Sequence, residues 1–302
     1  MERIKRHPWI SNMVWTGERG YIEMIKHILR YGIQTTDRTG VGCIKTFDNK
    51  IVYDVGGGDF PFSTIRPAPL RMAFEEFWMF MRGETDTKIL EEKGIFFWKG
   101  NTTREFLDKR GLNHLHEGDM GKAYGYQWRN YGGITDQLVS TVETLKKDPF
   151  SRRIYTTFWN PNESDDMALT PCWHSHIFNV MPDEDGTLIL NLKVFNRSLD
   201  SIFGKSFAAQ QYALYMICVA KMLGMKCGYL SLDLTDTHIY LNQIEYAKEL
   251  VQRDFGKQGV VEIKKEINCL EDMLSLQWED IEVSDLEVNK APFVNEKPEM
   301  AT

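Results

Sequence analysis

Residues 187–195 read TLILNLKVF, and how this stretch is read decides the fold. Leu188, Leu190, Leu192 and Val194 alternate with more mixed neighbours, which is the two-residue period of a half-buried strand. Working outward, RIYTTFW (153–159), HSHIFNVM (174–181) and YLSLDL (229–234) give further strand signals. Helical spacing lies on either side of them. YIEMIKHILRYG (21–32) places Ile22, Met24, Ile25, Ile28 and Leu29 on a helical face and stops at a glycine. Leu138, Val142 and Leu145 mark an amphipathic helix, a long apolar helix is expected around 209–225, and another over Tyr240–Gln252. Strands gathered mid-chain with helices on both sides predict an α+β sheet protein rather than alternating βαβ units.

LRMAFEEFWMFMR (70–82) is helical in spacing and apolar nearly all round, so it predicts a buried helix. It nevertheless carries Glu75 and Glu76. A carboxylate in such surroundings is costly unless it has a partner or a chemical task.

The 302 residues, 42% hydrophobic, suffice for a real core and fit one large domain or two small ones, with a charged segment at 255–302. A net charge of −7 gives no uniform attraction to nucleic acid or to an anionic membrane face, so an anionic ligand needs a local basic cluster. The five cysteines form no CxxC pair, and their odd number suits a reducing compartment. No apolar run approaches a membrane span, and MERIKRHPWIS lacks an apolar signal core; a soluble cytoplasmic protein is expected. Neither GxGxxG nor GxxxxGK[ST] occurs.

ALTPCWHSHIF (168–178) leaves three roles open for Cys172: nucleophile, metal ligand with His174 and His176, or core thiol. The two histidines are expected on one strand face, yet no fourth ligand is evident, so no metal is expected. Arg38, Arg152, Arg153 and Arg197 sit where loops meet strands or helices, and guanidinium forks suit phosphate oxygens.

Taken in order, DRTGVG, SRRIYTTFWNP, MALTPC, FNRSLDSIFGKSF and TDTHIYLN closely resemble the thymidylate synthase family, from the helix before Arg38 to NKAPF. The resemblance implies a single catalytic domain over residues 1–302, a mixed sheet flanked by helices, a sheet-to-sheet homodimer, a pyrimidine nucleoside monophosphate substrate and 5,10-methylenetetrahydrofolate as carbon donor. It makes Cys172 the thiolate that adds to carbon 6 of the ring and so turns carbon 5 into a nucleophile. Neighbouring arginines are expected to lower the thiol's pKa. It assigns Arg38, Arg197 and Ser198 to the 5′-phosphate, with Arg152 and Arg153 reaching the partner subunit's phosphate. His238 and Tyr240 would hold the sugar, and Asp200 would lie near the base and folate. Glu76 would order water for proton transfers, its pKa raised by apolar surroundings. Tyr124 would stand beside the cysteine, and Trp98, Leu169, Gly204 and Phe207 would face the folate.

This chain departs from the family pattern around the base. Trp173 replaces the histidine after the cysteine, and Ala208 replaces the asparagine that reads the base edge; a methyl group cannot make a hydrogen bond. Asn196 stands for a glutamine and Asn101 for a second tryptophan, and the chain continues past KAPF to Thr302. A bare polar edge costs about 1–3 kcal/mol, so His174, Gln210, Gln211 or water must pair with it. These departures favour a hydroxymethyltransferase acting on dUMP, dCMP or CMP. The alternative is a divergent thymidylate synthase that methylates dUMP and releases dihydrofolate. A silent paralogue that binds nucleotide or RNA is disfavoured by Cys172, Glu76 and the arginine set.

Overall fold

The computed structural model describes residues 13–295 and Pro298. MERIKRHPWIS and Thr302 lie outside the described residues. The strands are β1 (Val14–Thr16), β2 (Ile33–Thr35), β3 (Cys43–Asp54), β4 (Tyr155–Thr157), β5 (Trp173–Pro182), β6 (Leu188–Asn196), β7 (Leu199–Asp200), β8 (Lys226–Tyr240), β9 (Val260–Ile263) and β10 (Ile281–Ser284). The helices are α1 (Gly17–Tyr31), α2 (Leu70–Met81), α3 (Lys88–Glu92), α4 (Arg104–Lys109), α5 (Tyr124–Arg129), α6 (Gln137–Lys147), α7 (Gly204–Leu223), α8 (Ile244–Leu250) and α9 (Leu270–Leu274).

A mixed sheet runs β1-β3-β8-β6-β5-β4, with β2 paired to β3 and β7 to β8. β8 is antiparallel to β3 and parallel to β6, while β6–β5 and β5–β4 are antiparallel. This is the α+β architecture expected from the strand clustering. On β6, Leu190, Leu192 and Val194 are fully buried on the face that meets α7, as the alternation predicts. α2 packs on α7 and α5, and Phe74, Phe77, Trp78, Met79, Phe80 and Met81 are all buried. Its apolar circumference is thus used on every side.

The strand β3 was not expected, and its register explains why. Phe47 pairs with Asp236 and Asn49 with Leu234, with Asp48 between them at φ 63°. Asp48 faces Thr235 with no residue inserted, yet the buried side changes there: Thr46 and Asn49 are both buried and Phe47 and Asp48 between them exposed, which breaks the two-residue period, and charged Lys45, Asp48 and Lys50 obscure what remains of it. A second irregularity corrects the face assigned to the histidines. Trp173 pairs with Asn196 but Ser175 with Phe195, so His174 is the extra residue. His176 is fully buried among Trp128, Phe158, Tyr212 and Tyr215, whereas His174 stacks on Phe195, a residue of the opposite sheet face. The two imidazoles do not share a face.

Three boundaries also differ. RIYTTFW is a strand only over Tyr155–Thr157. The long helix begins at Gly204, earlier than expected, because buried Lys205 and Ser206 interrupt the apolar pattern of its first turn. The helix expected from Tyr240 starts at Ile244, since β8 runs through Tyr240. The charged segment after 255 is not peripheral: Ile263, Ile267, Leu270, Met273, Leu276 and Ile281 are buried in the main core. Trp78 donates from Nε1 to the Met273 carbonyl at 2.8 Å, and Arg82 to those of Leu274 and Leu276 at 3.0 Å each. The segment therefore backs α2.

Candidate active site

A cavity of about 560 Å³ opens between α2, α7, α5 and the turn before β5. Its walls include Glu76, Trp98, Tyr124, Leu169, Cys172, Trp173, Gly204, Phe207 and Ala208, nine residues singled out from the sequence. Arg66, Asn101, Gln211 and Tyr212 also line it.

Cys172 stands immediately before β5. Its backbone N–H donates to the Tyr124 hydroxyl oxygen at 3.0 Å, and the Trp173 N–H does so at 3.3 Å. Tyr124 therefore pins the start of β5, and its ring is fixed by stacking on Phe80 at 5.0 Å. Arg197 braces the same turn from the other side. Its Nε and Nη2 donate to the carbonyls of Pro171 (2.9 Å) and Thr170 (2.8 Å), and its backbone N–H to the Cys172 carbonyl (2.9 Å). Burial pushes the Cys172 thiol above its ordinary value, and the charges of Arg197 and Arg38 pull against that. The expected lowering is thus a correction: in the protein alone desolvation wins, because it acts on the thiolate directly while the guanidiniums act from further away.

Glu76 receives two hydrogen bonds, from Trp98 Nε1 at 2.7 Å and from Gln211 Nε2 at 2.5 Å. Burial raises its pKa from 4.5 to about 7, with both donors opposing the rise. Its neighbour Glu75 turns outward to Lys93.

Other residues singled out from the sequence stand outside these walls. His238 is buried and bonds through Nδ1 to Asp236 at 2.9 Å; its ring lies 5.0 Å from that of Tyr240. Burial, then Asp200, pushes Tyr240 up to about 12. Asp200 Oδ1 accepts from the N–H groups of Ile202 and Phe203, and Oδ2 from Gln243, so this carboxylate shapes the turn into α7. Ser198 is half-buried beside Arg197, and Arg38 is exposed in the loop after β2. Arg152 and Arg153 are exposed in the turn before β4 and do not line this cavity.

Arg66 escaped the sequence reading. It is buried, lines the cavity, donates to the Ile202 carbonyl and lies over the Phe203 ring at 5.5 Å. Its setting between apolar residues in STIRPAP was the available signal. Tyr212 was hidden in the same way, inside a long helix read only as apolar.

A family model described as thymidylate synthase matches residues 19–295. The thymidylate synthase of Ascaris suum is 35% identical over 267 residues, covering 84% of this chain and 89% of that protein. That of Candida albicans is 34% identical over 300 residues, covering 89% and 93%. The bifunctional dihydrofolate reductase-thymidylate synthase of Leishmania major is 36% identical over 297 residues, covering 94% of this chain but 55% of that protein. The chain thus spans about half the length of that relative and most of the other two.

Proposed function

The chain belongs to the thymidylate synthase family of folate-dependent one-carbon transferases, and from that premise we propose that it transfers a one-carbon unit to carbon 5 of a pyrimidine nucleoside 5′-monophosphate. The observation that carries this reading is the convergence of Cys172, Tyr124 and Glu76 on one cavity.

Cys172 Sγ adds to carbon 6, and the ring electrons move toward carbon 4, leaving carbon 5 nucleophilic. Arg197 and Arg38 supply the positive field that favours the thiolate, and with Ser198 they hold the 5′-phosphate. Tyr124 fixes the backbone that carries the nucleophile. Its oxygen already accepts two N–H groups, so its own O–H is free to point into the cavity. Glu76, titrating near 7, both takes and returns protons at neutral pH. His238 and Tyr240 bind the sugar, and Asp200 orders the turn between base and carbon donor.

Members of this family use 5,10-methylenetetrahydrofolate. The cavity residues fit such a flat, acceptor-rich heterocycle. Trp98, Phe207 and Phe97 offer aromatic faces, and the buried Asn101 Nδ2 has no hydrogen-bond partner among the described residues. Trp98, Leu169, Gly204, Phe207 and Asn101 would hold it, and when bound it supplies the carbon and, for a methyl product, the hydride.

The names of the relatives support methylation of dUMP to dTMP as the reaction. A second reading, hydroxymethyl transfer to dUMP, dCMP or CMP, is carried by Trp173 and Ala208 on the cavity wall and by Asn101 where the family has tryptophan. The sheet face away from α7 exposes Phe47, Tyr155, Met181 and Tyr229, which supports a homodimer joined through that face with Arg152 and Arg153 reaching the partner's phosphate. Incubation with methylenetetrahydrofolate and each of dUMP, dCMP and CMP, followed by product mass, tests the reaction. The expected outcome is a methylated dUMP with dihydrofolate. A hydroxymethyl product would select the second reading, and no product with any nucleotide would overturn both.

A further inference from the structure

The wall of the cavity that carries Ala208 also carries Gln211 and Tyr212, one turn further along α7, where positions i, i+3 and i+4 share a face. Trp173, next to Cys172, packs against Tyr212 with ring centroids 6.1 Å apart. This turn of α7 therefore looks onto the place where a base joined to Cys172 must sit. Gln211 is the amide on that turn. Gln210 points elsewhere and donates to the Ala68 carbonyl at 3.2 Å, and His174 lies on the other sheet face.

We propose that Gln211 reads the hydrogen-bonding edge of the pyrimidine while it holds Glu76, so that base choice and the proton on Glu76 are coupled through one amide. This rests on the pyrimidine nucleotide reading given above. An ionised carboxylate only accepts hydrogen bonds, so the NH₂ of Gln211 must face Glu76, as it does at 2.5 Å. One N–H is then committed to Glu76. The second N–H and the carbonyl remain as an adjacent donor–acceptor pair. That pair matches N3–H and O4 of uracil, just as an amide matches a purine edge. Cytosine presents the reverse order, and pairing with it requires the amide to turn over. The carbonyl then faces Glu76, which is tolerable only when Glu76 carries a proton. Trp98 donates to the other oxygen of Glu76 in either state.

The remaining groups facing Glu76 do not mimic this titration near neutral pH. Burial holds Tyr124, Cys172 and Tyr212 above their ordinary values, and Arg66, from the segment before α2, is the guanidinium on the same cavity wall. Glu75 beside it is engaged by Lys93.

The test measures dissociation constants for dUMP and dCMP on the full-length protein between about pH 6 and about pH 8, a window that brackets the Glu76 titration. In the wild type, preference for dUMP over dCMP should rise by about tenfold as Glu76 ionises, the size expected of one misplaced donor–acceptor pair. In Gln211→Met, which keeps the length and loses the hydrogen bonds, the two nucleotides should bind within about threefold of each other at every pH. A wild-type ratio that is flat across the window overturns the proposal without any variant. So does a folded Gln211→Met that keeps the ratio and its slope, or one that weakens both nucleotides equally, which marks a packing role. Wild-type protein that binds neither nucleotide sinks the functional reading itself, and with it this inference.

Discussion

Glu76 is raised from 4.5 to about 7 by folding, and that shift has a sign that can be checked. A carboxyl that holds its proton more tightly folded than unfolded penalises the fold once the unfolded chain begins to ionise. Stability should therefore fall as pH rises from about 4.5 to about 7 and level off above, by about 3 kcal/mol in all. Glu76→Gln should flatten that slope in pH-dependent denaturant melts, and be the more stable protein above neutrality while losing proton transfer. Cys172→Ser should keep its melting temperature and lose turnover; near-normal turnover would remove the covalent mechanism. At this scale the sequence was informative where chemistry is local. A carboxylate inside LRMAFEEFWMFMR announces desolvation by itself. The Cys172 thiol was misjudged because its arginines were visible in the sequence and its burial was not.

The element that positions Glu76 is α2, and it was legible because every turn of it is apolar. Trp78 at its centre is fully buried and donates to Met273. Trp78→Ala should destabilise by about 3–5 kcal/mol in equilibrium unfolding, since it leaves a cavity that rigid neighbours cannot close. It should also lower turnover more than a comparable truncation far from α2. The strands were less evenly legible. β6 shows its period openly, whereas β5 contains one extra residue, His174, and β3 changes its buried side at Asp48, so that each pattern shifts midway. Such irregularities are fixed by pairing with a distant strand, which local periodicity cannot register. The early start of α7 was masked by Lys205 and Ser206, polar side chains that are nevertheless buried.

On the scale of the whole molecule, the proposed dimer makes each site dependent on two chains. Mixing Cys172→Ser with an Arg152→Ala, Arg153→Ala double variant should restore part of the activity that each lacks alone, because hybrid dimers hold one intact site. No recovery after subunit exchange would count against shared sites. The sheet itself imposes an order on the chain's own biosynthesis. β1 and β2 precede β3 and pair with it along one edge, but its other edge is covered by β8, with Cys43 against Tyr240 and Asp54 against Tyr229. At ordinary elongation rates the ribosome delivers that partner on the order of ten seconds or more after β3 has emerged. Through that interval the β8 side of β3 is an open edge exposed to other nascent chains. Lys45 and Lys50, which end in ion pairs with Asp236 and Asp233, first serve as charges that discourage such pairing. Lys45→Val with Lys50→Val should lower the soluble fraction on expression far more than it lowers the melting temperature of what does fold. The two lysines thus guard the strand during translation, well before the aspartates that neutralise them have been made.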